Sequence, residues 1–197
     1  MDNTTIDYYN QNAEQYYKST VSLDFSDNRD RFLKYLPAAG HILDFGCGSG
    51  RDTKVFLKKD FLVTAVDGSK EMCKLATKYT GITVHQMLFH ELSAVSEYDG
   101  IWACCSVLHL PLNELQDVTR KMTTALKPGG VIYVPFKHRV FSGIRNKRYY
   151  TDMTEEVLAA FIDTIENLDI KETWITQDGI PGREDEKWLN AILQKSR

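Results

Sequence analysis

Three glycines at alternate positions follow an acidic residue near the middle of the first half of the chain. They are Gly46, Gly48 and Gly50, and Asp44 stands two residues before the first of them. Glycine reaches positive φ values at little cost and lets a ligand come close to the backbone. An acid just before such a turn suits a ligand that carries a cation, such as the ammonium group of an amino acid, and suits a pyrophosphate poorly.

A second acid completes the pattern. Asp67 directly follows the apolar residues 62–66. In an open α/β sheet, an acid at the end of the second strand accepts hydrogen bonds from ribose hydroxyls. One site would then hold an ammonium group near Asp44 and a ribose near Asp67. S-adenosylmethionine (SAM) carries both groups.

Another class of ligand uses a similar turn. The dinucleotide fingerprint is G-x-G-x-x-G, whereas the sixth position counted from Gly46 is Arg51, so the third glycine comes one residue early. This register argues against a nicotinamide-dependent oxidoreductase. A SAM-binding accessory or regulatory protein without catalysis is a further alternative, because binding motifs are easier to read from a sequence than catalytic ones.

Four short motifs occur in an order and at a spacing that resemble those of class I SAM-dependent methyltransferases. The resemblance extends over residues 41–135. The sequence Gly-Ser-Gly-Arg-Asp and the short chain are most similar to small bacterial members grouped with tellurite-resistance methyltransferases. This resemblance implies methyl transfer from SAM to a small acceptor, with S-adenosylhomocysteine as the second product. The motifs are residues 44–50, 67–69, 98–100 and 126–130.

The resemblance also implies a set of cofactor contacts. The glycine turn should hold the methionine side of SAM, Asp67 the ribose, and residues 86–88 the adenine. The predicted contacts are Tyr16, Asp44, Gly46, Cys47, Gly48, Gly50, Arg51, Asp67, Gly68, Ser69, Met72, Gln86, Met87, Leu88, Cys104 and Cys105.

Some of these roles have alternatives. Tyr16 lies in a tyrosine-rich helix predicted over residues 4–20, which either docks by its aromatic face or forms a lid over the cofactor. Arg51 is either a solvated residue or a partner for the methionine carboxylate. Gln86 stands where similar enzymes often carry an acid for the adenine amine, so its side-chain role is open and the backbone of residues 87–88 is the more secure contact.

The chain has four cysteines, Cys47, Cys73, Cys104 and Cys105, and no C-x-x-C pair. A zinc site is therefore not expected, and we expect no metal. Cys104 and Cys105 are adjacent within an apolar run, which is typical of small core residues. A redox or metalloid role is the alternative.

The catalytic residues are not evident from the sequence. The methyl group of SAM is already electrophilic, so a general base is needed only when the acceptor must lose a proton. His109, Lys137 and Tyr149 are candidates by position alone. His109 is open to three interpretations: a packing residue, a ligand contact or a general base.

Residues 137–153 form the least regular part of the predicted fold. They lie just after the fifth strand and should overhang the rim of the site. They form either a solvated charged loop or a lid that favours an anionic acceptor, and a nucleic-acid-binding strip is a weak alternative in a chain of net charge −3. Their cations are Lys137, Arg139, Arg145, Lys147 and Arg148, interleaved with Phe141, Tyr149 and Tyr150.

The composition of the chain limits the classes of protein to which it can belong. A chain of 197 residues that is 43% apolar suits one domain with a full core. The small net charge gives no general attraction to nucleic acid or anionic membranes. No run approaches the roughly 18 apolar residues of a membrane span. The first residues do not resemble a secretion signal, so a cytoplasmic location is expected.

Apolar periodicity predicts an α/β fold with a seven-stranded, mostly parallel Rossmann-like sheet and helices on both faces. The link before the last strand is short, which favours an antiparallel last strand. We expect one domain over residues 1–197, with residues 1–40 as an N-terminal helical lid and 137–153 as a rim insertion. The predicted strands are 41–44, 62–66, 82–85, 100–104, 131–136, 170–176 and 187–194.

Overall fold

The computed structural model describes residues 3–180, 182–183 and 185–196. Its strands are β1 (His41–Phe45), β2 (Leu62–Asp67), β3 (Val84–Gln86), β4 (Tyr98–Trp102), β5 (Leu126–Lys137), β6 (Phe141–Arg145), β7 (Arg148–Asp152), β8 (Leu168–Gln177) and β9 (Lys187–Lys195). Its helices are α1 (Asn3–Thr20), α2 (Ser26–Leu33), α3 (Arg51–Lys58), α4 (Lys70–Thr80), α5 (Leu112–Ala125) and α6 (Glu155–Ile162). Within these ranges, no helix combines the length and the apolar character that crossing a membrane requires.

The main sheet has seven strands in the order β3-β2-β1-β4-β5-β9-β8. β9 pairs antiparallel with both of its neighbours, and the pairs among β1 to β5 are parallel. The parallel pairs are joined by crossovers long enough to contain a helix, whereas β8 and β9 are joined by a short loop. The predicted fold class is therefore confirmed, including the antiparallel last strand.

The core lies on both faces of this sheet, which explains why the central strands are almost wholly apolar. On one face, Phe32 of α2 and Phe56 of α3 pack against Trp102 of β4, with ring centroids 5.2 and 5.6 Å from it. Tyr133 of β5 stacks on Trp102 at 4.0 Å. The opposite cluster contains α5 and α6, with Leu115 fully buried. This packing fixes the carboxyl ends of β1, β2, β4 and β5 at one edge.

The predicted strand over residues 100–104 is displaced in the structure. β4 ends at Trp102, and Cys104 and Cys105 form the turn that follows. Cys105 has a φ of 53°, which no strand residue adopts. Both cysteines therefore leave the strand and lie at its carboxyl end, next to the glycine turn.

The segment after β5 is more regular than predicted. β6 and β7 form an antiparallel hairpin, so the expectation of an irregular insertion over residues 137–153 is wrong. The hairpin turn uses Asn146 and Lys147, whose φ values are 50° and 61°. A two-residue hairpin turn of type I′ needs positive φ at both positions. Asn-Lys is a weaker signal for this turn than Asn-Gly, and the periodicity of the sequence does not reveal it.

Helix α1 bridges two parts of the fold. Asn10 accepts a hydrogen bond from the hydroxyl of Ser69, at the start of α4, at 2.7 Å. Thr5 accepts one from the main-chain N–H of Tyr149, in β7, at 3.2 Å. The helix thus spans the edge of the sheet from α4 to the hairpin.

Candidate active site

A cavity of about 490 Å³ opens at the carboxyl ends of the parallel strands. Ligand pockets commonly measure about 300–1,000 Å³. Its walls come from the glycine turn, the tyrosines of α1, the turn after β4, the hairpin and the β8–β9 loop. Helix α1 and the β6–β7 hairpin, which lie more than a hundred residues apart in the sequence, therefore meet at this cavity.

The turn after β1 requires glycine for steric reasons. Gly46 and Gly50 have φ values of 85° and 75°. A Cβ atom at Gly46 would lie 2.5 Å from the Cβ of Ser106, and one at Gly50 would lie 2.7 Å from a methyl carbon of Thr80. Gly50 is thereby packed against α4 and does not line the cavity, whereas Gly46 does.

The carboxylate of Asp67 is fixed by the backbone around it. It accepts hydrogen bonds from the N–H groups of Gly48 at 2.9 Å and Ser69 at 2.8 Å. Burial raises the pKa of Asp67, and the two N–H groups oppose that change. Asp67 lines the cavity, in the position predicted for a ribose partner.

Asp44 is buried at the base of the same cavity, with 2% of its surface exposed. It accepts a hydrogen bond from Thr53. Burial raises the pKa of Asp44 to about 7, with a smaller contribution from the charge of Asp52. A buried carboxyl of this kind gains stability from a cationic partner, as predicted for the ammonium group of a ligand.

Arg51 is not a solvated residue. Its guanidinium donates to Asp52 through Nη2 at 2.6 Å and Nε at 3.1 Å, and it lies 3.9 Å above the ring of Phe25. Asp52 also accepts from Arg29 at 2.6 Å and from the indole of Trp102 at 3.0 Å. The structure thus places Arg51 in the cavity wall, with its orientation set by a buried carboxylate.

Most of the predicted contacts meet at the cavity. Ser69 does not, because its hydroxyl caps α4 by accepting from the N–H of Met72 at 3.2 Å and also donates to Asn10. The predicted residues that line the cavity are Tyr16, Asp44, Gly46, Cys47, Gly48, Arg51, Asp67, Gly68, Met72, Cys104 and Cys105.

The predicted adenine segment lies outside the cavity lining. Met87 donates its N–H to the carbonyl of Asp67 at 3.0 Å, and Leu88 donates its N–H to Glu91 at 2.7 Å. Neither N–H group is free to meet a ligand, contrary to our expectation. Gln86 is exposed and donates to the carbonyl of Gly68 at 3.2 Å. Phe89, which the sequence analysis missed, lines the cavity instead.

His109 is held at both ring nitrogens. Nδ1 lies 2.7 Å from the carbonyl oxygen of Tyr149, and Nε2 lies 2.9 Å from the hydroxyl of Tyr9. A carbonyl can only accept, so Nδ1 carries the proton and Nε2 accepts from Tyr9. The pKa of His109 is lowered to about 4, mainly by burial and to a lesser extent by the charges of Arg148 and Arg145, while the hydrogen bond to the carbonyl of Tyr149 opposes this change. The imidazole is neutral at neutral pH.

The other two catalytic candidates lie elsewhere. Lys137 is buried between the carboxylates of Asp178, at 2.6 Å, and Glu186, and it lies 4.0 Å above the ring of Trp188. Such a doubly paired ammonium is not available as a base, and Lys137 does not line the cavity. Tyr149 directs its hydroxyl to Ser142 at 2.8 Å, away from the cavity.

Tyr150 is the hairpin tyrosine that faces the cavity. Successive residues of a strand point to opposite faces, so a site contact at Tyr150 excludes one from the side chain of Tyr149. Tyr8 and Tyr9 of α1 also line the cavity and were missed, since only Tyr16 was selected from that tyrosine-rich segment. The helical spacing of Tyr9 and Tyr16, which contact each other at 5.0 Å, was the available signal.

The adjacent cysteines are part of the cavity wall. Their sulfur atoms lie 3.9 Å apart, and each side chain is half-buried. Burial raises the pKa of the Cys104 thiol well above its usual value, so it is a neutral thiol at neutral pH. Cys104 and Cys105, interpreted from the sequence as small core residues, pack against the core from a half-buried position and also line the cavity.

Comparison with known proteins shows what this chain is similar to. Residues 42–130 match the family described as a methyltransferase domain. An uncharacterized methyltransferase of Staphylococcus carnosus is 24% identical over 168 residues, which cover 77% of this chain and 81% of that protein.

Two solved methyltransferases have a similar fold. The 1,6-didemethyltoxoflavin-N1-methyltransferase of Burkholderia thailandensis, solved with 1,6-didemethyltoxoflavin and S-adenosylhomocysteine, has a TM-score of 0.75 at 19% identity, covering 98% of this chain and 85% of its own. The magnesium protoporphyrin IX methyltransferase of Synechocystis PCC 6803 was solved with S-adenosylhomocysteine. It has a TM-score of 0.73 at 16% identity, and the match covers 96% of this chain and 97% of that enzyme. The chain is therefore similar to methyltransferases over residues 42–130, and its sheet has the fold of the solved methyltransferases.

Proposed function

We propose that this protein is a SAM-dependent methyltransferase and that it transfers the methyl group of SAM to a small anionic molecule bound in the same cavity. The observation that carries this proposal is the continuity of the cavity, which runs from Gly48 and Asp67 to Arg148 and Tyr150 of the hairpin. A small acceptor is also supported by the Burkholderia enzyme, whose name gives 1,6-didemethyltoxoflavin as its acceptor. The similarity to tellurite-resistance methyltransferases stays a prediction.

The residues at the strand ends fit SAM. Asp44 would accept from the ammonium group, Asp67 from the ribose hydroxyls, and Arg51 would donate to the methionine carboxylate. The side-chain oxygen of Gln86 would accept from the adenine amine, because its amide nitrogen already donates to Gly68. Gly48 leaves room for the ligand beside the backbone, since a Cβ there would lie 3.5 Å from Tyr16.

We also propose that α1 acts as a lid. Tyr16 and Tyr9 cover the glycine turn and the turn after β4, and Tyr8 reaches the hairpin side of the cavity. The lid predicted over residues 1–40 is narrower in this proposal, because Phe32 of α2 is fully buried against Trp102; residues 1 and 2 lie outside the described part of the chain. The hairpin forms the opposite rim, and Thr5 joins the two through its hydrogen bond with Tyr149.

The protein's main task in this reaction is orientation. Bound SAM supplies an activated methyl group on a sulfonium, which an acceptor atom displaces in line. Holding two reactants in an aligned geometry can lower the barrier by about 7–11 kcal/mol. The rigid glycine turn, Asp44 and Asp67 hold one reactant, and the aromatic walls hold the other and exclude water.

His109 is the residue best placed to receive a proton from the acceptor. Its Nδ1–H bond to Tyr149 leaves the lone pair on Nε2, where Tyr9 now donates. A hydroxyl, amine or thiol acceptor would replace Tyr9 at Nε2 or pass its proton through the Tyr9 hydroxyl. His109 lines the cavity, unlike Lys137 and Tyr149.

Calorimetric titration with S-adenosylhomocysteine, with NADH in parallel, tests the cofactor. We expect micromolar affinity for the first ligand and none for the second. Turnover is then measured as S-adenosylhomocysteine release with hydroxyl, amine, thiol and metalloid acceptors. Tight SAM binding without turnover of any acceptor would favour a non-catalytic accessory role. NADH binding alone would refute the assignment of the site.

A further inference from the structure

The cations of the hairpin region are not equivalent. Arg139 and Arg145 both donate to the buried carboxylate of Asp152, at 2.8 and 2.9 Å. Lys137 is paired as described above, and Lys147 is exposed at the hairpin turn. Of the five cations that suggested an anionic acceptor, only Arg148 lines the cavity, and the described residues form no ion pair with it.

Arg148 lies instead among aromatic rings. Its guanidinium carbon is 4.7 Å from the ring centre of Tyr8, 5.9 Å from Tyr9 and 5.4 Å from Tyr150. Nη1 donates a long hydrogen bond of 3.4 Å to the Tyr9 hydroxyl. Nε is buried, and no described residue accepts its hydrogen. A buried donor without an acceptor is costly, so this Nε–H needs a partner that the described residues do not supply.

We propose that Arg148 binds the carboxylate of a planar, aromatic methyl acceptor, with Tyr8 and Tyr150 as the walls that hold its ring. This inference rests on the proposed function and names the acceptor's chemical class. A carboxylate can accept from the edge of the guanidinium that contains Nε, in the side-by-side geometry typical of arginine–carboxylate pairs. Flat phenol rings around the cation favour a flat partner over a branched one.

The charge balance favours a monoanion. Arg148 offers one positive charge, and the other cation of the cavity interior, Arg51, is already paired with Asp52. Arg183 also lines the cavity but is exposed. The same cavity contains Asp44 and Asp67, which oppose a second negative charge. A phosphate monoester, which carries up to two charges at neutral pH, fits this site less well.

The position of Arg148 also sets the distance between the two ligands. Tyr9 lies beside Arg148, Tyr16 contacts Tyr9 at 5.0 Å, and Tyr16 covers Gly48. Two rings therefore separate the carboxylate site from the glycine turn. The carboxylate would anchor one side of the acceptor while its nucleophilic atom faces the cofactor and Nε2 of His109.

The test uses benzoate and its neutral isostere benzamide as probes. Each is titrated by calorimetry into the full chain saturated with S-adenosylhomocysteine. We expect benzoate to bind at least about tenfold more tightly than benzamide, and phenyl phosphate to bind no better than benzoate. The preference for benzoate over benzamide should disappear in Arg148→Gln. It should be reduced in Arg148→Lys, because lysine keeps the charge but lacks the planar pair of N–H donors of a guanidinium.

Lys147→Gln is the matched control, because it removes the neighbouring exposed charge of the same hairpin and should keep the preference. Equal affinity for the two probes, no benzoate binding, or tighter binding of phenyl phosphate would overturn the proposal. These results leave the proposed function standing if S-adenosylhomocysteine still binds. Retention of S-adenosylhomocysteine affinity in Arg148→Gln and Arg148→Lys shows that both variants are folded. Loss of that affinity in both would contradict the placement of Arg148 in the acceptor subsite.

Discussion

The carboxylate of Asp67 accepts a hydrogen bond from the main-chain N–H of Gly48 at 2.9 Å, and thereby ties the end of β2 to the turn after β1. Its other oxygen accepts from the N–H of Ser69. The residue proposed to bind ribose is thus oriented before any ligand arrives. Pre-orientation of this kind lowers the entropy cost of binding.

Replacing Asp67 should therefore weaken cofactor binding. Asp67→Ala removes ribose hydrogen bonds to a charged group and should reduce S-adenosylhomocysteine affinity by about 1–3 kcal/mol. Calorimetry measures the change. Asp117→Ala, on the exposed surface of α5, is the control and should leave affinity unchanged. An unaltered affinity in Asp67→Ala would show that the ribose lies elsewhere.

The buried carboxyl of Asp44 predicts a pH dependence of stability. Its pKa is about 7 in the folded chain against a reference of 3.8. The folded state binds this proton more tightly, so its stabilising effect is present at low pH and is lost as the pH rises from about 4 to 7. Asp44→Asn should remove that loss and resist urea better than the native chain at pH 8.

The same variant should respond differently to ligand. An ammonium group favours the ionised form of Asp44, so native affinity for S-adenosylhomocysteine should increase between pH 5.5 and 7.5. Asp44→Asn should bind weakly and without this slope. Parallel pH slopes in the two proteins would remove Asp44 from the binding site.

His109 should remain neutral well below the usual histidine range. With a pKa of about 4, its ring should show the Nδ1–H tautomer by ¹⁵N NMR at pH 5.5. For an acceptor that must lose a proton, His109→Gln should reduce turnover by about 10²-fold or more at unchanged S-adenosylhomocysteine affinity. Full turnover in this variant would reduce His109 to a packing residue.

We expect Lys137 to stabilise the folded state. Lys137→Met leaves the buried carboxylate of Asp178 without its cation, and breaking a buried pair in this way costs about 3–5 kcal/mol of unfolding free energy. Lys127→Met, which breaks a more exposed pair with Asp99, should cost less than about 1 kcal/mol. Urea denaturation compares the two. Equal losses would mean that the Lys137 cluster contributes no more than a surface pair.

Cys104 should be tolerant of substitution. Its thiol is neutral, and its sulfur lies 3.9 Å from that of Cys105 and accepts a weak hydrogen bond from Arg51 at 3.8 Å. A serine hydroxyl can accept the same bond, so Cys104→Ser should change S-adenosylhomocysteine affinity by less than about 0.5 kcal/mol. Calorimetry under reducing conditions is the measurement. A tenfold loss would indicate direct participation of the sulfur in binding.

The parts of the site encoded by local signals were predictable. The strand, the glycine turn and the acid at the end of the next strand are short patterns whose meaning does not depend on distant residues. The helix cap at Ser69 is of the same kind, since serine is a common N-cap residue and its side chain accepts from the N–H of Met72. The strands predicted over residues 41–44 and 62–66 therefore agree with β1 and β2 to within one residue.

Features that depend on register were not predictable. Tyr149 and Tyr150 are equivalent in composition, and only the pairing of β6 with β7 decides which one faces the cavity. The main-chain N–H groups of Met87 and Leu88 are occupied by hydrogen bonds to Asp67 and Glu91. The spacing of residues in the sequence does not reveal these contacts. The same holds for Lys137, whose carboxylate partners come from a loop some forty residues later.

Trp188 has a consequence for how binding can be observed. Of the three tryptophans in the sequence, Trp188 lines the cavity beside Lys137 and Asp178, while Trp102 is fully buried and Trp174 lies beneath Arg31. Indole emission responds to the polarity and aromatic contacts of its immediate surroundings. Arrival of an acceptor should shift the emission of Trp188, whereas a ligand confined to the glycine turn should leave it unchanged. The chain thus contains a natural optical reporter that distinguishes occupancy of the two halves of one cavity.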